Sequence, residues 1–204
     1  YGLLRKGKKT GFGCDCPKEE KLFTFAMATE DYLDATKFVI ENQELIQVDT
    51  TKIIAGGSSA GAEGVLNAVF MKDYFLDDTS AYDDIKFAGL FSLAGAMVNS
   101  DFIKKENALP TILFHGSKDN LVPYAISAHH QCEPNRKGYI ILHGTEAISK
   151  KLDDLGKSYY FHKAIGAGHE LSSIPFGQLD TVLEFINKTI INKEIIQTKK
   201  TVFK

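Results

Sequence analysis

One stretch constrains the fold of this chain more than any other. An apolar segment runs into glycines and serines and then into a helical pattern: Ile53-Ile54-Ala55-Gly56-Gly57-Ser58-Ser59-Ala60-Gly61-Ala62. This order predicts a short buried strand, a sharp turn at the serines and the start of a helix. Within it, residues 57–61 match G-x-S-x-G, the pattern that exposes a serine at the tip of a strained strand-to-helix turn.

The spacing of the glycines favours Ser59 over Ser58 as the exposed serine. Ser59 has a glycine two positions away on each side, whereas Ser58 has Gly56 before it but Ala60 after it. Small neighbours are expected because the strand and the helix pass close to one another at such a turn. The start of the helix also directs N–H groups and a partial positive charge toward the serine.

Two later loops carry side chains that could cooperate with this serine. An apolar run from Thr111 leads into a loop containing Asp119, and a strand-like run from Tyr159 to His162 leads into a glycine-rich loop containing His169. The order serine, aspartate, histidine is that of α/β-hydrolases and not of chymotrypsin-like or subtilisin-like proteases. Asp101, after another strand-like run, is a rival acid. We favour Asp119 because its His-Gly-x-x-Asp context is more specific.

These segments resemble the motifs of α/β-hydrolase carboxylesterases, especially the branch related to hormone-sensitive lipase. Residues 48–62 resemble the nucleophile elbow, His115 to Asp119 with Val122-Pro123 resembles the acid loop, and Gly168-His169 resembles the histidine loop. The resemblance implies an α/β-hydrolase fold, with a mostly parallel sheet flanked by helices, in a single domain over residues 1–204.

The same resemblance implies roles for individual residues. Ser59 would be the nucleophile, His169 the general base and acid, and Asp119 the residue that orients the histidine, while the Ala60 N–H would be one oxyanion donor. No metal or organic cofactor is required. From their positions beside the elbow and after the acid, we expect three residues to contact substrate: Ser58, Val122 and His129.

One part of the family pattern is missing from these residues. No His-Gly-Gly-Gly-type loop, which supplies further oxyanion donors, occurs in the sequence. Tyr1-Gly2-Leu3 is similar to a Tyr-Arg-Leu segment of the related esterases, with glycine in place of the arginine. This alignment implies that the first strands of the sheet, and the missing loop, lie upstream of residue 1.

The length and the net charge of the chain limit the number of domains and the classes of partner that we expect. A chain of 204 residues is long enough for one substantial core and too short for two ordinary domains. A net charge of −2 gives no reason to expect a nucleic acid as partner. No apolar run approaches the ~20 residues of a membrane span. We expect a small-molecule or carbohydrate ester as the substrate.

The three cysteines leave several arrangements open. Cys14 and Cys16 are too close in sequence to pair without strain, whereas either one could bond Cys132. Such a disulfide would suit a periplasmic or secreted enzyme. Three unpaired thiols are an equally good interpretation. A zinc site with His129 and His130 lacks the usual C-x-x-C spacing and is disfavoured.

The remaining segments predict further helices, a strand and the two ends of the chain. Residues 1–22 are expected to form an N-terminal loop region, Thr24 to Asn42 a helix and 85–97 a strand. Residues 192–204 are expected to be a tail that is either frayed or a strap to something absent from this sequence. Apolar spacing predicts two more helices, over 145–155 and 176–191. Three other histidines are interpreted as core or surface residues: His115, His143 and His162.

The sequence thus predicts a serine esterase that forms an acyl-enzyme and acts on small or medium acyl groups or on carbohydrate-linked esters. A serine peptidase of the prolyl-oligopeptidase type has the same chain order, but usually carries an aromatic residue where this chain has Ala60. A non-catalytic binding protein with the hydrolase fold is the third alternative.

Overall fold

The computed structural model describes residues 12–173 and 175–204. Its α-helices are α1 (Lys18–Glu41), α2 (Gln43–Ile46), α3 (Ala60–Phe70), α4 (Lys72–Phe75), α5 (Thr145–Asp154) and α6 (Leu179–Ile186). Its strands are β1 (Ile54–Ser58), β2 (Gly89–Leu93), β3 (Ala96–Met97), β4 (Thr111–Gly116), β5 (Ile126–Ala128), β6 (Ile141–Gly144), β7 (Tyr159–Ile165) and β8 (Gln197–Phe203).

The main sheet is parallel and has the strand order β1-β2-β4-β7-β8. A smaller antiparallel sheet has the order β3-β6-β5. Because all strands of the main sheet point the same way, their carboxyl ends share one edge. The segments that follow β1, β4 and β7 therefore meet at this edge, and they are the three segments that carry the predicted site.

The central strands are apolar on both sides because helices cover both faces of the sheet. On one face, Leu113 of β4 packs with Leu66 of α3 and Ile148 of α5. On the other face, Phe114 of β4 packs with Phe185 of α6. Consecutive residues of β4 thus point to opposite layers. The mostly parallel sheet flanked by helices confirms the predicted fold class.

The boundaries at both ends of the chain differ from those expected. Helix α1 begins at Lys18, so the prediction of a loop as far as residue 22 was wrong. Pro17 immediately precedes the helix and two glutamates stand in its first turn, and both features favour a helix start. The part of the predicted loop region before Phe12 lies outside the described residues.

The C-terminal tail is not frayed. Gln197–Phe203 pairs in parallel with all of β7, so the prediction of a frayed end was wrong. The segment contains threonines, a valine and a phenylalanine, which favour strands, and its lysines lie exposed, as is typical of an edge strand. The expected strand over 85–97 is also divided. Only Gly89–Leu93 and Ala96–Met97 form strands, and they belong to different sheets.

A disulfide joins Cys14 to Cys132 across 118 positions of the chain, and Cys16 is buried outside it. With two of the three sulfurs in this bond, the zinc arrangement that sequence analysis disfavoured is not formed. Disulfides are typical of proteins outside the reducing cytosol, and the bond agrees with the periplasmic or secreted location expected for a chain that forms it. Among the helices of the described residues, none is long and apolar enough to cross a membrane.

Candidate active site

The turn after β1 has the strained geometry expected of a nucleophile elbow. Ser59 has φ 52° and ψ −123°, in a region that residues other than glycine rarely occupy. A Cβ atom on Gly57 would lie 2.1 Å from the carbonyl oxygen of Gly61, so only glycine fits there. A Cβ atom on Gly61 would meet nothing within 4 Å. The close approach of the strand and the helix therefore requires a small residue at position 57 but not at position 61.

The Ser59 hydroxyl faces a histidine from a distant part of the chain. Its Oγ lies 2.8 Å from Nε2 of His169, which begins a short turn, His169–Ser172, after β7. The other end of this turn is tied to the elbow, because the Ser58 hydroxyl donates to the Ser172 carbonyl. At this distance the imidazole can accept the proton of the serine hydroxyl.

Asp119 completes the arrangement on the far side of the imidazole. Its Oδ2 lies 2.7 Å from Nδ1 of His169, and its Oδ1 accepts the N–H groups of Leu121 and Val122 at 2.9 and 3.0 Å. A carboxylate at this position favours the tautomer with the proton on Nδ1 and leaves Nε2 free to act as a base toward Ser59.

The loops that carry the acid and the histidine are joined by their backbones. Ser117 donates its N–H to the Ala164 carbonyl at 2.9 Å, and Lys118 donates to Ala167 at 2.8 Å. The approach is close enough that a Cβ atom on Gly116 would lie 2.3 Å from the Gly168 carbonyl oxygen. The glycine of the His-Gly-x-x-Asp segment is therefore required by the packing of these two loops.

Asp119 is held in its ionised form. Burial by itself would raise the pKa of Asp119, but hydrogen bonds from His115, His169 and the Leu121 N–H outweigh burial and lower the pKa to about 2. The side chain is therefore a carboxylate throughout the range in which histidines titrate. It can stabilise an imidazolium at His169 without accepting the proton itself.

Ala60, the predicted oxyanion donor, lies next to Ser59. It is the first residue of α3, and the N–H groups of a first helical turn have no acceptor within the helix. The partial positive charge at this helix end adds to the attraction for an anion beside Ser59. The role of the Ala60 N–H as an oxyanion donor stays a prediction.

The three residues expected to contact substrate lie in different surroundings. Ser58 is exposed beside the elbow. The Val122 side chain is 3% exposed and packs with Phe25 and Leu142, so only its backbone serves the site, through Asp119. His129 is 1% exposed and its Nε2 lies 3.1 Å from Oε1 of Glu63. Val122 and His129 therefore do not offer side chains to a substrate, because both are turned into the core.

Two histidines near the candidate site were not assigned to it from the sequence. His115 is completely buried, and its Nε2 lies 3.2 Å from Oδ2 of Asp119. Its position four residues before the acid, within the same motif, was the signal that could have identified it. His130 follows the buried His129 with φ 55°, and no pattern in the sequence indicated that conformation.

His130 is neutral at ordinary pH because of its surroundings. Burial lowers the pKa of His130 first, the nearby His129, Lys21 and His169 lower it further, and Asp119 acts in the opposite direction, so that the pKa is about 4. An unfolded chain would bind this proton near pH 6.5. The unfolded state therefore binds more protons between these values, and stability falls as the pH is lowered from about 6.5 to about 4.

Replacing His130 by asparagine should remove part of this acid sensitivity. Asparagine tolerates a positive φ, so His130→Asn keeps the backbone conformation while deleting the titrating ring. The loss of unfolding free energy between about pH 7 and about pH 4.5 should shrink by roughly 1–2 kcal/mol, a value reduced for partial solvent screening. Urea unfolding at the two pH values measures this.

Gln131→Asn is the matched control for His130→Asn. Gln131 has nearly the same backbone conformation, with φ 52°, but carries no titratable group. Its replacement should leave the dependence of stability on pH unchanged. Equal pH dependence in His130→Asn and in the original chain would contradict the assignment.

The rival acid, Asp101, belongs to a different part of the surface. It pairs with Lys151 at 3.0 Å and follows β3 of the smaller sheet. Its neighbour Ser100 contacts Nδ1 of His143 through both its hydroxyl and its N–H, at 2.9 and 3.2 Å. These residues border a cavity of about 440 Å³ whose lining contains none of Ser59, Asp119 and His169. Asp101 is therefore not placed beside His169.

Comparison with solved structures identifies the fold. Esterase PE8 aligns with 79% of this chain and 61% of its own length, at 21% identity and a TM-score of 0.50. An esterase of the Planctomycetes species Thermogutta terrifontis, solved with butyrate bound, aligns with 84% of this chain and 67% of its own, at 16% identity and a TM-score of 0.54. The same esterase phosphorylated by paraoxon aligns with 95% of this chain and 69% of its own, at 15% identity and a TM-score of 0.57.

Comparison of sequences adds little. No family model matches the chain. Bifunctional protein GlmU of Pseudomonas fluorescens is 29% identical over 82 residues, which are 39% of this chain and 18% of that protein. The chain thus spans less than two thirds of the length of PE8 and about a fifth of GlmU. Together, the parallel sheet flanked by helices and the solved esterases that align with it show that this chain has the α/β-hydrolase fold.

Proposed function

We propose that this chain is a serine hydrolase that cleaves carboxylic esters through an acyl-enzyme. The observation that carries the proposal is the continuous line of hydrogen bonds from Ser59 through His169 to Asp119. His169 takes the hydroxyl proton as Ser59 Oγ attacks the ester carbonyl, and then returns it to the leaving alcohol. A water molecule activated by the same imidazole hydrolyses the acyl-enzyme.

Small or medium acyl groups are the proposed acyl parts of the substrate, in small-molecule or carbohydrate-linked esters. The Thermogutta esterase that shares this fold has been solved with butyrate and with propionate bound. In this chain, the segment from β3 to β4 is short, which leaves no room there for a large lid domain. Kinship with the hormone-sensitive-lipase branch remains part of this proposal.

The proposal needs a second oxyanion donor besides the Ala60 N–H. Among the described residues, β1 pairs with β2 alone, so the other edge of the strand that ends at the elbow lies open. Loss of one such donor lowers the rate about 10²–10³-fold.

Labelling with a fluorophosphonate tests the assignment of the nucleophile. The probe should form an adduct on Ser59, which peptide mapping locates, and the adduct should be absent from His169→Ala. Ser58→Ala is the matched control, because it removes the neighbouring hydroxyl as a competing nucleophile. Labelling of Ser59 should persist in this variant, although more slowly, because the hydrogen bond to the Ser172 carbonyl is lost. An adduct on Ser58, or none on the intact chain, would overturn the proposal and favour a non-catalytic protein with this fold.

A further inference from the structure

Among the residues that the structure describes, His115 is a polar side chain that contacts the Asp119 carboxylate but has no part in the proposed reaction. It is the fifth residue of β4, at the centre of the main sheet, and is completely buried. Its Nε2 lies 3.2 Å from Oδ2 of Asp119 and 3.3 Å from the carbonyl oxygen of Val122. Its Nδ1 lies 2.7 Å from the hydroxyl of Thr145. A buried imidazole with contacts on both nitrogens has a fixed orientation.

The partners of Nε2 determine where a proton must be. Both the Asp119 carboxylate and the Val122 carbonyl only accept hydrogen bonds. A bare Nε2 would place its lone pair against two negatively polarised oxygens in a site without water contact, which is costly. Nε2 therefore carries hydrogen, which it shares between the Val122 carbonyl and Oδ2 of Asp119.

The other nitrogen permits two arrangements with the same consequence. The Thr145 hydroxyl also lies 3.2 Å from the Gly95 carbonyl. When this hydroxyl donates to Nδ1, the ring is neutral with its hydrogen on Nε2. When it donates to Gly95, it accepts from Nδ1 and the ring is an imidazolium. In both arrangements, the Nε2–H faces Asp119.

The contacts of Asp119 show what this donor adds. The two backbone N–H groups of Leu121 and Val122 both bind Oδ1, so they hold only one oxygen of the carboxylate. Oδ2, the oxygen that receives His169 Nδ1, has His115 as its other donor. Without His115, the orientation of Oδ2 would depend on the imidazole that it is meant to orient.

We propose that His115 is a positioning residue, whose Nε2–H fixes the Asp119 carboxylate so that Oδ2 presents itself to His169. The expected effect of His115 on the reaction rate rests on the proposed function, whereas the contacts of His115 with Asp119 do not depend on it. His115 shares Oδ2 with His169 and approaches it from the buried side of the acid. It touches no reacting atom and acts through Asp119.

A pair of substitutions separates the two ends of the imidazole. A glutamine amide can occupy the position of Nε2 and donate to Asp119, whereas an asparagine amide reaches only the position of Nδ1 near Thr145. His115→Asn should therefore lower kcat for p-nitrophenyl butyrate roughly 10- to 100-fold with KM near the original value. His115→Gln should stay within about threefold of the original kcat. Equal loss in both variants would overturn the proposal.

Nuclear magnetic resonance provides a test that needs neither substrate nor activity. In the unsubstituted chain, long-range ¹H–¹⁵N spectra should show hydrogen on Nε2 of His115, and a ring with hydrogen on Nδ1 alone would overturn the proposal. The Nδ1–H resonance of His169 should move in His115→Asn, because Oδ2 loses its second donor, and should be retained in His115→Gln. If Ser59 is not labelled by the fluorophosphonate, the proposed function fails while this spectrum still decides the role of His115.

Discussion

Asp119→Asn is expected to lower kcat about 10⁴-fold while KM changes little. The two backbone N–H groups that bind Oδ1 favour the amide oxygen there, so the asparagine NH₂ group would take the place of Oδ2, and Nε2–H of His115 would also lose its acceptor. An NH₂ group donates, and would therefore face Nδ1 of His169 only when that nitrogen lacks hydrogen. The imidazole would then carry its hydrogen on Nε2 and could not accept the proton of Ser59.

Asp101→Asn is the matched control for Asp119→Asn. It makes the same chemical change at the rival acid, where the exposed pairing with Lys151 contributes little to stability. Its kcat for p-nitrophenyl butyrate should remain close to the original. A large loss in Asp101→Asn together with a small loss in Asp119→Asn would reverse the assignment of the acid.

Gly57→Ala is expected to destabilise the fold by about 3 kcal/mol or more, because its Cβ atom would lie far inside the van der Waals contact distance of backbone atoms. The added carbon would approach the carbonyl of Gly61 at 2.1 Å and the nitrogen of Ala62 at 2.7 Å. Backbone atoms cannot rotate away as a side chain can. The start of α3 would have to shift, and the elbow would no longer direct Ser59 toward His169.

Gly61→Ala separates the steric effect from the loss of a glycine. The new Cβ atom would have open space around it, and alanine favours a helix over glycine by about 1 kcal/mol. This variant should be as stable as the original chain or slightly more so in thermal unfolding, and should still react with the fluorophosphonate. Equal destabilisation of the two variants would contradict the steric account of the G-x-S-x-G pattern.

The sequence predicted the fold class and the order of the site residues because both depend on local patterns. Apolar runs that end in loops with Ser59, Asp119 and His169 can be recognised one at a time, and a parallel sheet brings such loops to one edge. The tail was less predictable, because a run with four exposed polar or charged residues becomes β8 only when β7 offers its edge. The pairing of these two strands is a tertiary contact, which the local sequence does not show.

The surroundings of individual histidines were the least predictable feature. His115 and His129 are both buried, yet one faces Asp119 and the other faces Glu63. Which partner a buried ring meets is decided by elements far away in sequence, since Thr145 lies 30 positions from His115 and Glu63 lies 66 from His129. No periodicity along the chain records such pairings.

The bond between Cys14 and Cys132 divides the candidate site unequally. The closed loop contains Ser59 and Asp119, whereas His169 lies outside it. A single protease cut anywhere inside the loop would leave two pieces that the disulfide still joins. The cut chain would therefore migrate at its full mass on a non-reducing gel. A cut between 132 and 169 would instead separate the base covalently from its nucleophile. Limited proteolysis therefore has two different outcomes. A cut within residues 14–132 leaves Ser59 and His169 covalently connected, whereas a cut between residues 132 and 169 separates them.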